Sequence, residues 1–277
     1  MSSRTSVLMS VYYRENPSFF DMSVKSILID QTKKPDEFVL VCDGPLSPEL
    51  NQVIEKYEKL FPGVFFVYRL DSNLGLGNAL NFGMEKCKYD IIIRADSDDI
   101  CVPERILEQT EYLDEHLDVA VVSSYIDEFD EDYRKPNDVK TLPISHEELV
   151  RMAKFRNPIN HMAVAFRKDV ILSVGSYRQI QYVEDYELWL RVIVNGFKLG
   201  NIDKVLVHAR VGNGMLNRRS DRRYIDSWRI LCKYMNSQKM INKIEYVRNM
   251  LSVRFFIILP PMMKKKVYKR ILRGKTT

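Results

Sequence analysis

The chain has 277 residues, of which 45% are hydrophobic and 11% aromatic, which suits one large packed domain with an appended segment. Its net charge is +5, and nine Lys and Arg residues with no Asp or Glu lie between Arg248 and the end; subtracting these nine leaves residues 1–247 at −4. The acidic body argues against a nucleic-acid-binding protein, and no apolar run approaches the ~18–20 residues of a membrane span.

The cysteines indicate a reducing compartment. Cys42, Cys87, Cys101 and Cys232 are scattered and form no CxxC pair, which argues against both a disulfide framework and a zinc site. The N-terminal residues lead directly into a strand-like segment without the pattern of a signal peptide. We therefore expect a cytoplasmic protein.

The first half of the chain alternates strands with helices. Apolar patterning predicts strands at residues 6–11, 38–42, 64–68 and 91–93, and helices at 21–30, 48–60 and 77–86. Such alternation predicts an α/β fold with a mainly parallel sheet flanked by helices and right-handed crossovers.

The second half is less regular. It contains predicted helices at 103–115, 145–155 and 186–195, predicted strands at 119–124, 162–166 and 205–208, and a charged loop at 127–140. Ser145 and Glu148 have the spacing of a helix capping box. Beyond Asp221 the chain is expected to be helical to its end, apart from Pro260-Pro261. We therefore divide it into a domain at 1–215 and a basic helical extension at 216–277.

Carboxylates follow two of the predicted strands. Asp96, Asp98 and Asp99 come directly after the strand at 91–93, and Asp43 follows the strand at 38–42. Parallel strands place their carboxyl ends at one edge of a sheet, so these side chains are expected to share a crevice. Crowded carboxylates repel one another unless a cation neutralises them, and hard oxygen ligands suit Mg²⁺ or Mn²⁺. The alternatives are an Asp-rich turn that caps the next helix and an Asp-Gly turn.

Two further motifs have both a functional and a structural interpretation. The glycine-rich residues 73–79 lead into a helix and would let the backbone approach a phosphate, or they form a tight helix-entry turn. Glu184-Asp185 precedes an apolar helical run, where a carboxylate either acts as a general base or complements the helix dipole.

The late histidine and arginines are candidate ligands for anions or metals. His208 ends a predicted strand and is either a metal or diphosphate contact or a packed, hydrogen-bonded side chain. Arg210, Arg218 and Arg219 lie on or beside a glycine-containing loop and either clamp a diphosphate or form a solvated basic surface.

The C-terminal residues 254–273 interleave apolar and cationic side chains. This pattern suits docking in the interface of an anionic membrane. The alternative is a terminal helix that packs on the core and carries a solvated basic end.

Together these residues resemble the family 2 glycosyltransferases of the GT-A fold. Five landmarks occur in the family's order, at residues 6–12, 26–32, 41–44, 94–99 and 184–185. The resemblance covers roughly residues 4–215, with Ser10 standing where proline is common. Residues 210–215 are also similar to bacterial exopolysaccharide transferases, including those of the amylovoran type.

The resemblance implies an inverting transfer from a nucleotide-diphosphate sugar, most often UDP-linked, to a saccharide acceptor that is often lipid-linked. It makes Asp185 the catalytic base. It implies that Mn²⁺ or Mg²⁺ binds Asp98, with Asp96 assisting through ribose, water or metal. His208 is a further candidate metal ligand because of its position at a strand end. The donor contacts that it implies are Val11, Tyr12, Asp43, Asn73, Gly75, Arg94, Asp96 and Arg210.

Other function classes have weaker support in the sequence. A sugar nucleotidyltransferase usually has a glycine-rich loop after its first strand, and residues 11–16 contain no glycine. A non-catalytic module that binds nucleotides or nucleic acid through its basic tail is opposed by the acidic body.

Overall fold

The computed structural model describes residues 2–211, 222–260 and 262–264, and these residues build a mixed nine-stranded sheet with helices on both faces. The strands are β1 (Thr5–Val11), β2 (Glu37–Cys42), β3 (Phe65–Arg69), β4 (Ile91–Ala95), β5 (Ile100–Cys101), β6 (Val119–Phe129), β7 (Asp138–Lys140), β8 (Ala165–Arg167) and β9 (Lys198–Arg210). The helices are α1 (Pro17–Leu28), α2 (Pro48–Leu60), α3 (Leu76–Lys86), α4 (Arg105–Glu115), α5 (His146–Met152), α6 (Lys168–Ser173), α7 (Glu184–Val194), α8 (Arg222–Ser237) and α9 (Lys243–Ile258).

The first half of the sheet is parallel, as the alternating pattern predicts. Its order is β3-β2-β1-β4, and every neighbouring pair in it runs in the same direction. Side chains alternate between two cores, so that Val7 and Met9 pack into one while Leu8 packs into the other. All six residues of β2 are buried, which explains its almost wholly apolar sequence.

The second half of the sheet mixes directions and corrects several predicted elements. β8 runs antiparallel to both β4 and β6, while β9 pairs parallel with β6 and antiparallel with β5. The predicted loop at 127–140 was wrong, because β6 extends to Phe129 and pairs with β7. The predicted strand at 162–166 is a 3₁₀ helix (His161–Ala163) followed by β8. The predicted strand at 205–208 was too short, because pairing of residues 198–202 with β6 starts β9 seven residues earlier.

Side-chain caps set the ends of several helices. The Asn16 side chain accepts a hydrogen bond from the Ser18 N–H at 2.8 Å, so α1 begins four residues earlier than its apolar pattern predicts. Ser145 caps α5 as its spacing predicts, accepting a hydrogen bond from the Glu148 N–H. The short elements β5 and α6 have no clear periodic pattern and were not predicted.

The C-terminal helices pack against the body. Trp228 of α8 and Val253 of α9 belong to one buried cluster with Tyr186 and Leu190 of α7. The helical segment is interrupted between α8 and α9. Asn242 forms a capping box with Glu245 at the start of α9, and this interruption was not predicted. No helix of the described residues is long and apolar enough to cross a membrane, and the expected helix beyond Lys264 lies outside them.

Candidate active site

The ends of β1 and β2 bring the first predicted donor contacts together. The Asp43 N–H donates to the carbonyl oxygen of Val11 at 2.8 Å, so the two strand ends are directly adjacent. Tyr12 follows Val11, and its side chain is 42% exposed at this edge. A planar group would therefore find both a peptide surface and an aromatic ring beside Asp43.

Asp43 shapes the glycine-rich loop. Its carboxylate accepts hydrogen bonds from the backbone N–H groups of Leu74 at 2.7 Å and Gly75 at 3.0 Å. The Asn73 side chain donates to the Asp43 carbonyl oxygen at 3.3 Å. Each carboxylate oxygen has a second lone pair, so this buried side chain can hold the loop and still accept a ligand's hydrogen bond.

The turn after Asp43 requires glycine. Gly44 has φ +88°, and a Cβ atom there would lie 2.7 Å from the backbone nitrogen of Asn73. Gly63 has nearly the same φ, +82°, but a Cβ atom there would meet nothing within 4 Å. Comparing alanine substitutions at these two glycines therefore separates the cost of backbone strain from the cost of steric overlap.

We expect Gly63→Ala to lower the free energy of unfolding by about 1 kcal/mol, the cost of a left-handed backbone for alanine. Gly44→Ala should cost about 3 kcal/mol, because overlap with the glycine-rich loop adds to the same strain. Urea denaturation of both variants measures the difference. Equal destabilisation would contradict the close approach of the two loops.

A buried arginine holds the first aspartate of the Asp-x-Asp sequence. The guanidinium of Arg94, 1% exposed, donates two hydrogen bonds to the two carboxylate oxygens of Asp96. The Ser23 hydroxyl donates to the carbonyl oxygen of Asp96 at 2.9 Å. Below it, Arg105, also 1% exposed, donates to the carbonyl oxygen of Arg94 at 2.5 Å. Two buried cations thus support this acidic turn.

Arg210 closes the other side of the acidic turn. Its backbone N–H donates to the Asp99 carboxylate at 2.8 Å, and its guanidinium donates to the carbonyl oxygen of Asp98 at 3.2 Å. The guanidinium also lies 3.7 Å from the ring centroid of Phe19. Burial, together with the negative charges of Asp98 and Asp96, raises the pKa of Asp99 well above its usual range.

His208 lies on β9 and pairs with Ile100, which is the second residue after Asp98. Its Nδ1 atom is 2.8 Å from both carboxylate oxygens of Asp127. An ionised carboxylate only accepts, so Nδ1 carries a proton, and in the neutral imidazole Nε2 then presents a lone pair, the arrangement found in metal-binding histidines. Across residues 2–211, 222–260 and 262–264, no three His, Cys, Asp or Glu side chains are grouped to hold a metal by themselves.

Asp185 stands in the first turn of α7, as predicted. The Asn157 side chain donates to its Oδ2 atom at 2.5 Å, while the Asn157 Oδ1 atom accepts from the Ile159 N–H at 3.2 Å. Burial raises the pKa of Asp185, and hydrogen bonds from the Tyr186 backbone and Asn157, together with the charge of Arg94, oppose that rise. A raised pKa brings a carboxylate closer to the range in which it accepts protons efficiently.

The segment that carries Asn157 is fixed on three sides. The Tyr186 hydroxyl of α7 donates to the carbonyl oxygen of Ala153 at 2.8 Å. Asn249 of α9 donates to the carbonyl oxygen of Lys154 at 2.7 Å, and Asn160 donates to that of Ser124 at 2.9 Å. These anchors hold Asn157 in position against Asp185.

A neutral histidine, His161, contacts Tyr177, whose side chain lies near Asp185. Nε2 of His161 is 2.9 Å from the hydroxyl oxygen of Tyr177. Burial and the charge of Arg94 hold the pKa of His161 well below its usual range, and burial raises the pKa of Tyr177. Both rings therefore supply polar but uncharged surface.

A cleft of about 600 Å³ lies between the glycine-rich loop and the start of α7. One wall consists of residues 74–78, whose first two residues are bound by Asp43, and the other consists of residues 178–182 with Glu184. The cleft thus joins the loop held by Asp43 to the helix turn that carries Asp185.

The structure brings most of the predicted residues together and adds others. Arg218 and Arg219 lie outside the described residues. Asn157, Arg105 and the His161–Tyr177 pair were not predicted, because an Asn-Pro turn, a helical arginine and a lone histidine carry no distinctive sequence signal. Gln31, predicted only as a family landmark, is buried and bridges α1 to the turn before α4, donating to the Val102 carbonyl oxygen and accepting from the Ile106 N–H.

Comparisons with known proteins identify the family of the chain. The family model for glycosyl transferase family 2 matches residues 6–224. The amylovoran biosynthesis glycosyltransferase AmsE of Erwinia amylovora is 42% identical over 222 residues, covering 80% of this chain and 82% of that protein. The UDP-Gal:alpha-D-GlcNAc-diphosphoundecaprenol beta-1,3-galactosyltransferase of Escherichia coli is 34% identical over 268 residues, covering 97% and 96%.

Solved structures share the fold. S. aureus TarS 1-349 in complex with UDP-GlcNAc gives a TM-score of 0.67 at 16% identity, covering 98% of this chain and 76% of that chain. The mannosyltransferase PcManGT from Pyrobaculum calidifontis, in complex with GDP-Man and Mn²⁺, gives 0.64 at 14% identity, covering 96% and 73%. The predicted GT-A fold is therefore confirmed. The family model matches most of the chain, and relatives above 30% identity cover most of its length. The chain therefore belongs to glycosyl transferase family 2.

Proposed function

We propose that this glycosyltransferase moves a sugar from a UDP-sugar to a saccharide acceptor with inversion of the anomeric centre. The observation that supports the proposal is that Arg94, which holds Asp96, also acts electrostatically on Asp185. The cleft beside them joins the loop held by Asp43 to the start of α7. The Escherichia coli relative is named for a UDP-Gal donor and TarS has been solved with UDP-GlcNAc, which supports the choice of nucleotide.

The donor contacts divide into two groups. Asp43, with Val11, Tyr12, Asn73 and Gly75, receives the base and ribose. Carboxylate oxygens and backbone groups are suited to hydrogen-bond the edges of both.

The second group binds the ribose and the diphosphate. Asp96, already oriented by Arg94, accepts from a ribose hydroxyl. The guanidinium of Arg210 provides the forked donors that suit a diphosphate.

A divalent cation, Mn²⁺ or Mg²⁺, fits one side of this site. Asp98 offers a carboxylate, and His208 offers the nitrogen lone pair that its hydrogen bond to Asp127 leaves available. Asp96 assists through water or ribose, since both of its oxygens already accept from Arg94. When bound, the cation would neutralise charge on the departing diphosphate.

Asp185 acts as the general base. Its Oδ2 atom is occupied by Asn157, which leaves Oδ1 to take the proton of the acceptor hydroxyl. The acceptor oxygen attacks the anomeric carbon from the face opposite the diphosphate, and the bond to the diphosphate breaks. Arg210 stabilises the negative charge that develops on this leaving group.

The acceptor that we propose is a lipid-linked saccharide of bacterial surface-polysaccharide synthesis. The names of the Erwinia amylovora and Escherichia coli relatives support this class. We further propose that residues 1–215 carry the transfer and that the basic extension at 216–277 holds the enzyme to the inner face of the membrane. The basic tail at 254–277 would make the electrostatic contact. Such a contact weakens as salt screens it, so vesicle binding that is equally strong at low and high salt would contradict it.

The first test is nucleotide release by the purified protein with Mn²⁺ across UDP-, GDP- and dTDP-sugars. Release from one UDP-sugar supports the proposal and identifies the sugar. The absence of both release and donor-induced thermal stabilisation would refute the donor site. Stabilisation without release would show that the acceptor is required. Pyrophosphate formed from a nucleoside triphosphate and a sugar phosphate would instead favour a nucleotidyltransferase.

Asn157 provides a test of the base through pH. Asn157→Ala removes a hydrogen bond that favours ionised Asp185, so the pKa of Asp185 should rise further. Activity falls as pH drops through that pKa, and the acidic limb of the activity profile should therefore move to higher pH. The other charged or titratable groups acting there are Arg94, Tyr177 and Glu184.

The pH profile of kcat measures this effect. Asn195→Ala is the matched control, because it removes an amide that donates to a backbone carbonyl at the far end of α7. An unchanged acidic limb in Asn157→Ala would mean that Asn157 does not act through Asp185.

A further inference from the structure

Helix α9 carries a continuous apolar stripe on its outward face. The spacing of three or four residues places all its members on one side of the helix. The stripe consists of Ile244 (81% exposed), Val247 (54%), Leu251 (58%), Phe255 (60%) and Ile258 (77%). The opposite side of α9, with Asn249, Met250 and Val253, is buried against the body. At 1.5 Å per residue the stripe is about 21 Å long.

Such a surface differs from the scattered apolar residues of ordinary protein surfaces. A single exposed leucine needs no explanation, whereas a contiguous apolar patch marks an interaction site. Part of the stripe forms a shallow groove lined by Ile244, Val247 and Leu251 together with Lys243, Arg248 and Ser252. Met262 and Met263, 81% and 50% exposed, extend the apolar surface just beyond the helix.

The charges beside the stripe indicate what covers it. Helical spacing places Lys243 and Arg254 along one flank and Arg248 along the other, and all three side chains are exposed. Glu245 is engaged at the start of α9, where it accepts from the Asn242 N–H at 2.9 Å. No Asp or Glu follows it in the chain. The stripe therefore has cationic borders.

These borders distinguish between two occupants. A second copy of α9 would bring the same cations together across the contact, without acidic partners, which opposes self-association. An anionic bilayer offers acyl chains for the stripe and phosphate groups for the flanking cations.

We propose that the outward face of α9 docks on an anionic lipid bilayer, with its apolar side chains at the boundary between headgroups and acyl chains. The helix lies in the plane of the interface and does not span the bilayer. The proposal assigns the apolar part of membrane contact to the outward face of α9, which is separate from the donor site. Docking through this face does not require sugar transfer.

Tryptophan fluorescence of Phe255→Trp tests the insertion. The native tryptophans, Trp189 and Trp228, are 0% and 7% exposed, so a change on adding lipid reports on position 255. Vesicles of phosphatidylcholine and phosphatidylglycerol in equal parts should shift the emission to shorter wavelength, and vesicles of phosphatidylcholine alone should shift it much less. No shift with either kind of vesicle would overturn the proposal.

Vesicle co-sedimentation tests the stripe. Leu251→Glu should lower partitioning onto the same anionic vesicles by about tenfold or more, the scale of one buried leucine side chain. Leu117→Glu is the matched control, because Leu117 is 79% exposed and lies after α4, away from the stripe. Equal binding of both variants and the parent chain would overturn the proposal.

Two further measurements separate the alternatives. A concentration-dependent dimer in sedimentation velocity that Leu251→Glu abolishes, without vesicle binding by the parent chain, would make a second copy the occupant and overturn membrane docking. Nucleotide release with a soluble acceptor should be the same for Leu251→Glu and the parent chain. A failure of docking is therefore seen separately from a failure of the transferase reaction.

Discussion

Asp185→Asn is expected to reduce sugar transfer by about 10²–10⁴-fold, the usual contribution of one positioned general base. The amide keeps the size and polarity of the side chain but does not accept the proton of the acceptor hydroxyl. The donor contacts of Asp43 and Arg210 lie on other elements, so donor affinity should stay within a factor of about two. Steady-state transfer rates and donor titration by calorimetry measure the two effects separately.

The control for this change is Asp169→Asn, which replaces a first-turn carboxylate of a different helix, α6. It should leave transfer unchanged. Normal transfer by Asp185→Asn would refute the assignment of the base, whereas loss of donor binding in this variant would indicate a structural role for Asp185.

Asp98→Asn is expected to reduce metal-dependent nucleotide release by about 10²–10³-fold, because a positioned cation contributes several kcal/mol of charge stabilisation. Asparagine keeps one neutral oxygen but removes the charge that attracts a divalent cation. A chelator should reduce release by the parent chain to a similar level. Restoring Mn²⁺ should rescue the parent chain far more than the variant.

Asp90→Asn is the matched control, because Asp90 lies just before β4, at the strand end opposite the acidic turn, and its side chain is exposed. This variant should keep full metal-dependent release. Release by the parent chain that is insensitive to chelator would refute metal dependence while leaving the transferase assignment intact.

The parallel half of the fold is predictable because each of its strands is apolar enough to be recognised alone. β2 is buried on both faces, so its sequence is apolar throughout. β9 is different, since polar Asn201 pairs with Ser123 of β6, while Asp203 and Lys204 lie in the irregular stretch where the register shifts. That pairing joins residues far apart in sequence, and local periodicity does not contain it.

The residues of the candidate site also divide into those with a local sequence signal and those whose role depends on distant partners. Asp43, Asp96 and Asp98 were predicted because each is charged and follows a recognisable strand. Asn157 was missed because its importance depends on Asp185, which is 28 residues away and meets it only in the folded chain. Arg94 was predicted as a donor contact, yet its observed hydrogen bonds are to Asp96. Sequence patterns thus identify charged groups more readily than the neighbours that orient them.

The segment holding Asn157 has a consequence for divergence and engineering of acceptor choice. Tyr186 and Asn249 bind it through the carbonyl oxygens of Ala153 and Lys154, which every amino acid provides. Phe155 follows and is 50% exposed. Side chains at residues 154 and 155 can therefore be replaced without removing these main-chain anchors, and libraries at these two positions would vary the surface beside the proposed base.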